Sequence, residues 1–149
     1  MAVLQTAYID QVAPGYAGMV ANAETSNRIT RTNEDAASLP FGRAVFRGTG
    51  DHGCTATPGA GFLGLSIAHE TLGLLGGATP DAYPTTASVP IMTLGVIWVN
   101  TSVAVAKGDQ AYVTSAGLLT NVATSNTILT GWFFDTSTAA AGLAKLAKR

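Results

Sequence analysis

Ile91-Met-Thr-Leu-Gly-Val-Ile-Trp-Val99 is the stretch on which the fold turns. Alternate residues of an extended chain project to opposite sides. Met92, Leu94, Val96 and Trp98 therefore share one face, and Ile91, Thr93, Gly95, Ile97 and Val99 the other. The first face is bulky; the second is lighter but not polar. A strand without a polar face is covered on both sides, so this one reads as the central strand of a β protein.

Shorter runs flank it. Upstream, Gly42 to Arg47 sets Ala44 and Phe46 against Arg43, Val45 and Arg47, the pattern of a half-buried strand. Phe62 to Ala68 places Leu63, Leu65 and Ile67 opposite Gly64, Ser66 and Ala68. Downstream, Val103 to Ala106 runs into the turn Lys107-Gly108-Asp109 and then a strand, Gln110 to Thr114. Ser115-Ala116-Gly117 turns the chain again before Leu118 to Thr120. Gly131 to Asp135 is an aromatic strand with Trp132 and Phe134 on one face and Phe133 on the other. Thr-Ser pairs begin at 101, 114, 124 and 136, so polar breaks recur at about strand length, the rhythm of a β-sandwich or barrel. The expected fold is all-β, one domain over 1–149 with an extended N-terminal arm at 1–16. The tail, 137–149, fits a last strand or a short helix; Gly142 weakens the helix, and strand is the expectation. Gly48 to Gly61 and Gly73 to Pro90 read as long Gly/Pro-rich loops, candidates for contact.

Only 11% of the 149 residues are charged, against about 25% in an ordinary soluble domain. A surface this sparsely charged points to burial against other subunits. The formal net charge of −1 supplies no field to gather phosphates. Arg28, Arg31, Arg43 and Arg47 lie close in sequence, but Glu24, Glu34, Asp35 and Asp51 are interleaved with them, which predicts local pairing and no nucleic-acid track. A single cysteine, Cys54, allows no intrachain disulfide. The first ten residues lack the basic start and apolar core of a secretion signal, and no apolar run is long enough to span a bilayer. The expectation is synthesis in a cytosol-like compartment, with no membrane partner.

Three constellations invite a chemical reading. Gly48-Thr-Gly-Asp-His-Gly53 matches GxGxxG, but Cys54-Thr-Ala-Thr-Pro58 follows where a phosphate-binding helix should start. Asp51, His52 and Cys54, with His69 or Glu70, are zinc-ligand types in one cluster, without the second rigid pair a structural site uses. Gly64-Leu-Ser-Ile-Ala68 approaches a nucleophile elbow yet lies within a strand pattern. A flexible loop, an incomplete ligand set and a strand serine are the simpler accounts, and no enzyme is expected.

Six segments belong together: Gly18-Met-Val-Ala-Asn22, Pro40-Phe-Gly-Arg-Ala-Val-Phe46, Gly61-Phe-Leu-Gly-Leu-Ser66, Thr93-Leu-Gly-Val-Ile-Trp-Val99, Val105-Ala-Lys-Gly-Asp-Gln-Ala-Tyr-Val113 and Gly131-Trp-Phe-Phe-Asp135. In their order and spacing they resemble the bacteriophage structural cement, or capsid decoration, proteins. It implies a compact, jelly-roll-like β domain that forms homodimers or homotrimers on the outer surface of the virion capsid. There it would sit over junctions between subunits of the major capsid protein, after synthesis in the bacterial host cytoplasm. No catalytic site and no cofactor are implied. From loops and charge, Leu4, Tyr8, Tyr16, Arg28 and Arg31 are the expected shell contacts, and Trp132, Phe133 and Phe134 the expected self-association surface. The rivals are a head-fibre base or glycan-binding β module, which needs aromatics exposed beside carboxylates, and a small hydrolase built on Ser66 or His69.

Overall fold

In the computed structural model, residues 14–69 and 81–149 are described, and among them the backbone is all strand, turn and loop, with no helix. The strands are β1 (Asn27–Asn33), β2 (Leu39–Pro40), β3 (Ala44–Arg47), β4 (Gly53–Thr55), β5 (Phe62–Ser66), β6 (Ala82–Tyr83), β7 (Ser88–Thr101), β8 (Gln110–Val113), β9 (Leu119–Thr120), β10 (Thr127–Phe134) and β11 (Gly142–Lys148). The tail is thus a strand, and it pairs along its whole length with β7, from Gly142 opposite Thr101 to Lys148 opposite Gly95.

β7 is central in a stronger sense than its alternation implied. Its first half pairs with β1 and β5, its second with β11 and β9. The sheet therefore closes on itself twice through one strand: β7-β1-β4-β3-β5 and back, then β7-β11-β10-β8-β9 and back. Each of these nine strands has a neighbour on both sides, though not along its whole length. β4 covers only Thr32 and Asn33 of β1, and β10 only Leu146 and Ala147 of β11, so the edges left for another chain to extend are short.

Two extra residues reset the side-chain alternation. On β7, Asn27 lies opposite Leu94 and Arg28 opposite Met92, leaving Thr93 as a bulge. Met92 before the bulge and Ile97 and Val99 after it consequently enter the same core. Trp98, expected beside Met92, points the other way, under Gly15 and with Lys145 Nζ 5.0 Å from its ring centroid. On β5, Val45 opposes Gly64 and Phe46 opposes Phe62, so Leu63 is the extra residue. It packs with a second core while Leu65 and Ile67 stay in the first.

The first core gathers Ala44, Phe46, Leu65 and Met92 from one circuit and Ile97, Leu129, Trp132, Phe134 and Leu146 from the other. The second gathers Leu39, Phe41, Val45, Cys54, Tyr83, Val89 and Ile91, and Tyr83 Oη donates to Ile67 O across it. β3 is therefore not half-buried: Ala44 and Phe46 fill one core and Val45 the other. The segment Gly48 to Gly61 is not one long loop, since β4 lies within it between β1 and β3. Residues 73–80 of the other expected loop lie outside the described residues; the remainder carries β6 and the start of β7. The turn before β8 forms as its residues dictate. Asp109 Oδ2 accepts from Ala106 N at 2.9 Å, and Gly108 takes φ of 93°.

Candidate interaction surface

The glycine loop proves to be an anion cradle filled by its own chain. Glu34, just past β1, accepts hydrogen bonds from Thr49 N at 2.6 Å and Gly50 N at 3.0 Å. Its carboxylate occupies the space that a side chain at the loop's glycines would need. A Cβ on Gly53 would stand 1.8 Å from Glu34 Oε1, and one on Gly48 2.1 Å from Oε2. The GxGxxG spacing thus records the chain folding around a carboxylate, which leaves this loop no room for a phosphate.

From the other two constellations, Cys54 and Ser66 are likewise committed to structure, whereas Asp51 and His52 are exposed on the turn before β4. Burial, followed by the charges of Asp35 and Glu34, pushes the Cys54 thiol up to about 11, so it stays protonated and unreactive at neutral pH. Asp35 accepts from Thr55 Oγ1 at 2.6 Å and Ala56 N at 2.7 Å. Ser66 is fully buried; its hydroxyl donates to Pro40 O at 2.8 Å and accepts from Arg43 N at 3.0 Å, pinning β5 to the entry of β3. Glu70 lies outside the described residues.

The interleaved acids do not pair with the four arginines. Glu24 and Asp135 are held by Arg149, at 2.9 and 3.1 Å, the only ion pairs among the described residues. Glu34 and Asp35 are taken up by backbone N–H groups and Thr55. Among the described residues, no carboxylate forms an ion pair with Arg28, Arg31, Arg43 or Arg47.

Of the expected shell contacts, Leu4 and Tyr8 lie outside the described residues. Tyr16 is 46% exposed. Arg28 and Arg31 sit in a regular stretch of β1, opposite Met92 and Val89, so they emerge from opposite faces. Arg28 is exposed; Arg31 is half-buried on the side of Ile29 and Asn33, with Nη1 donating to Thr30 O at 2.9 Å. The fold does not bring the two guanidinium groups together.

The aromatic strand requires a correction. Trp132 and Phe134 are 0% and 1% exposed and belong to the first core, so neither is available to a second chain. Phe133, at 44%, remains on the surface. β10 starts earlier than its aromatics suggest, and Gly131, at φ of 80°, bulges it. The bulge lets Leu129 and Trp132, three residues apart, both point inward, and leaves Ile128 (48%) outward like Phe133. Gln110 repairs the broken ladder: Nε2 donates to Leu129 O and Trp132 O, each at 2.9 Å. Sequence reasoning missed Ile128, Leu118 and Val122, all exposed apolar side chains. The Ile128-Leu-Thr130 alternation was the available signal for the first.

Residues 4–148 match the family model described as Structural cement protein (E217 gp24/Pam3 gp6). No curated protein sequence matches the chain. Among solved structures, a chain from the capsid of Myoviridae phage XM1 has the same fold, with a TM-score of 0.74 at 19% identity, covering 98% of this chain and 97% of that one. With the family model spanning nearly every residue, the chain belongs to the structural cement protein family, and its role is a structural, capsid-associated one.

Proposed function

We propose that this protein binds the outer face of a tailed-phage capsid and stabilises the expanded shell by bridging major capsid protein subunits. The family match over residues 4–148 carries the proposal. The physical logic is mass action: a clamp that binds only the assembled lattice favours it by its own binding free energy at every site. A molecule whose nine sheet strands all have neighbours on both sides leaves only short edges for strand addition and associates chiefly through side-chain faces. Few charges and scattered exposed apolar residues suit broad contact of that kind. Tyr16 and Arg28 are the described shell contacts in this reading, with Leu4 and Tyr8 from the N-terminal arm and Arg31 reached from the other face of β1. Phe133, now with Ile128 in place of Trp132 and Phe134, is the self-association surface, in a dimer or a trimer. The test is to assemble shells with and without the protein and to challenge both with heat and low salt. Shells carrying it should survive harsher treatment; equal survival would refute the proposal.

A further inference from the structure

Arg43 stands where the two circuits meet. Its backbone enters β3 of the first circuit, and its guanidinium crosses to the β8–β9 turn of the second, where Nη2 donates to Ala116 O at 3.1 Å. The group packs against Gly117, whose added Cβ would sit 3.1 Å from Nη2. Two clefts flank it. One, of about 340 Å³, is walled by Ala17, Phe41, Leu118 and Leu119; the other, of about 450 Å³, runs past Ala36 and Pro58.

What distinguishes this arginine is missing charge balance. Among the described residues, no carboxylate lies within 4 Å of it, and its Nε is buried without a hydrogen-bond partner. Burial alone lowers its pKa, with no acid acting against it. A partly desolvated cation without a counter-charge is unfavourable in the isolated chain, and a carboxylate delivered from outside relieves it by charge-assisted hydrogen bonds. Beside it, Leu118 is 46% exposed over the apolar wall of the first cleft. Charge and shape ask for the same visitor: an acid next to an apolar side chain.

We infer that the cleft between Arg43 and Leu118 receives an extended segment of the shell protein in which an Asp or Glu carboxylate, meeting the guanidinium, follows an apolar residue packed on Leu118. The identity of the partner rests on the cement reading; the carboxylate specificity of the cleft does not. A partner carboxylate meets the terminal nitrogens, because Nε faces inward, and the Ala116 contact holds the fork in place for it.

The experiment has two arms. In the first, the peptide acetyl-Leu-Glu-amide is titrated into the free wild-type protein, with acetyl-Leu-Gln-amide as the neutral control. The expected result is a saturable NMR shift of the Arg43 guanidinium and Leu118 methyl signals, in the millimolar range, for the acid alone. No shift, or equal shifts with both peptides, overturns the inference whatever the capsid role. In the second, wild type and Arg43→Gln, checked for an unchanged fold, are bound to expanded shells lacking the protein. Arg43→Gln should bind about tenfold to a hundredfold more weakly, the loss expected for one charged hydrogen-bonded contact. Equal binding by a folded Arg43→Gln refutes the use of this cleft on the shell while leaving the cement role standing. Failure of the wild type to bind refutes the cement role, and the peptide arm then judges the cleft by itself. Arg43→Lys serves where Arg43→Gln does not fold, since it keeps the charge and loses the fork; it should bind more weakly than wild type.

Discussion

The cradle around Glu34 makes a prediction that separates a glycine needed for its backbone from one needed for space. Gly53 lies within β4 and has no positive φ, so alanine is conformationally acceptable there. On backbone grounds alone Gly53→Ala would stabilise by roughly 0.4–1 kcal/mol, by restricting the unfolded chain. The three atoms nearest its added Cβ, at 1.8, 2.1 and 2.6 Å, all belong to the Glu34 carboxylate, which must therefore leave. Two charge-assisted hydrogen bonds go with it, from Thr49 N and Gly50 N. Because Glu34 is solvent-exposed, each contributes nearer 1 kcal/mol than the higher values of buried pairs, for a total loss of about 1–2 kcal/mol. Glu34→Ala should destabilise by about as much. In the Glu34→Ala background, however, Gly53→Ala no longer meets that carboxylate and should be neutral or slightly stabilising, a coupling of about 1–2 kcal/mol between the sites. Urea unfolding of the four proteins measures it: Gly53→Ala lowers the wild-type midpoint by roughly 0.5–1 M with the slope unchanged, and does not lower that of Glu34→Ala. An equal loss in both backgrounds would show that the glycine is required for some other reason, and the account of the loop would be wrong.

Three further outcomes follow from the contacts described. Gln110→Ala should destabilise by about 2–3 kcal/mol in urea, because it strands the Leu129 and Trp132 carbonyls at the β10 bulge; a midpoint within error of wild type would mean that water replaces the amide. Glu24 is held below its ordinary 4.5 chiefly by the hydrogen bond from Arg149. Since the folded value is depressed, the pair's stabilisation is complete above pH 4.5 and fades as pH falls through the folded value; in Arg149→Ala a carbon-13 titration of Glu24 should move upward, and an unmoved titration would exonerate Arg149. Trp132→Ala should cost about 3–5 kcal/mol, whereas Phe133→Ala should leave unfolding nearly unchanged and weaken self-association in sedimentation; the reverse pattern would mean the strand faces are misassigned.

The all-β class, the turn positions and the central place of residues 91–99 were legible because each depends on local pattern: alternation, turn-forming tripeptides, and a strand lacking any polar side. Side-chain partnership was less legible, for two physical reasons. Alternation assumes an unbroken pleat, and one extra residue exchanges the faces of everything beyond it. Thr93 and Leu63 are such residues, so Trp98 was grouped with Met92, and Leu63 with Leu65, although the chain separates both pairs. At Gly131 the same effect was masked by the aromatics, which drew the strand's start to position 131 and hid Leu129 and Ile128. Acid–base pairing failed for a different reason. Proximity in sequence places Glu34 and Asp35 among arginines, but their carboxylates meet ready-oriented backbone donors whose ordering the strands have already completed, and flexible guanidinium groups compete poorly with those.

That outcome bears on how a molecule so poor in charge takes part in a specific assembly. Closing both circuits through β7 shortens the sheet edges that sparsely charged β proteins otherwise present to one another, so contact falls chiefly to side chains. Of the described acids, Glu34, Asp35, Glu24 and Asp135 are spent internally, on the cradle, the turn after β1 and the Arg149 clamp, while no ion pair among the described residues takes up the four arginines of the first circuit. With a net charge of only −1, selectivity cannot come from a long-range field. It has to come from these few cations at contact distance, set beside exposed apolar groups such as Leu118, Phe133 and Ile128. In the proposed role, a surface of this kind would stay quiet towards most neighbours and bind where a lattice repeats acid and apolar groups at matching spacing.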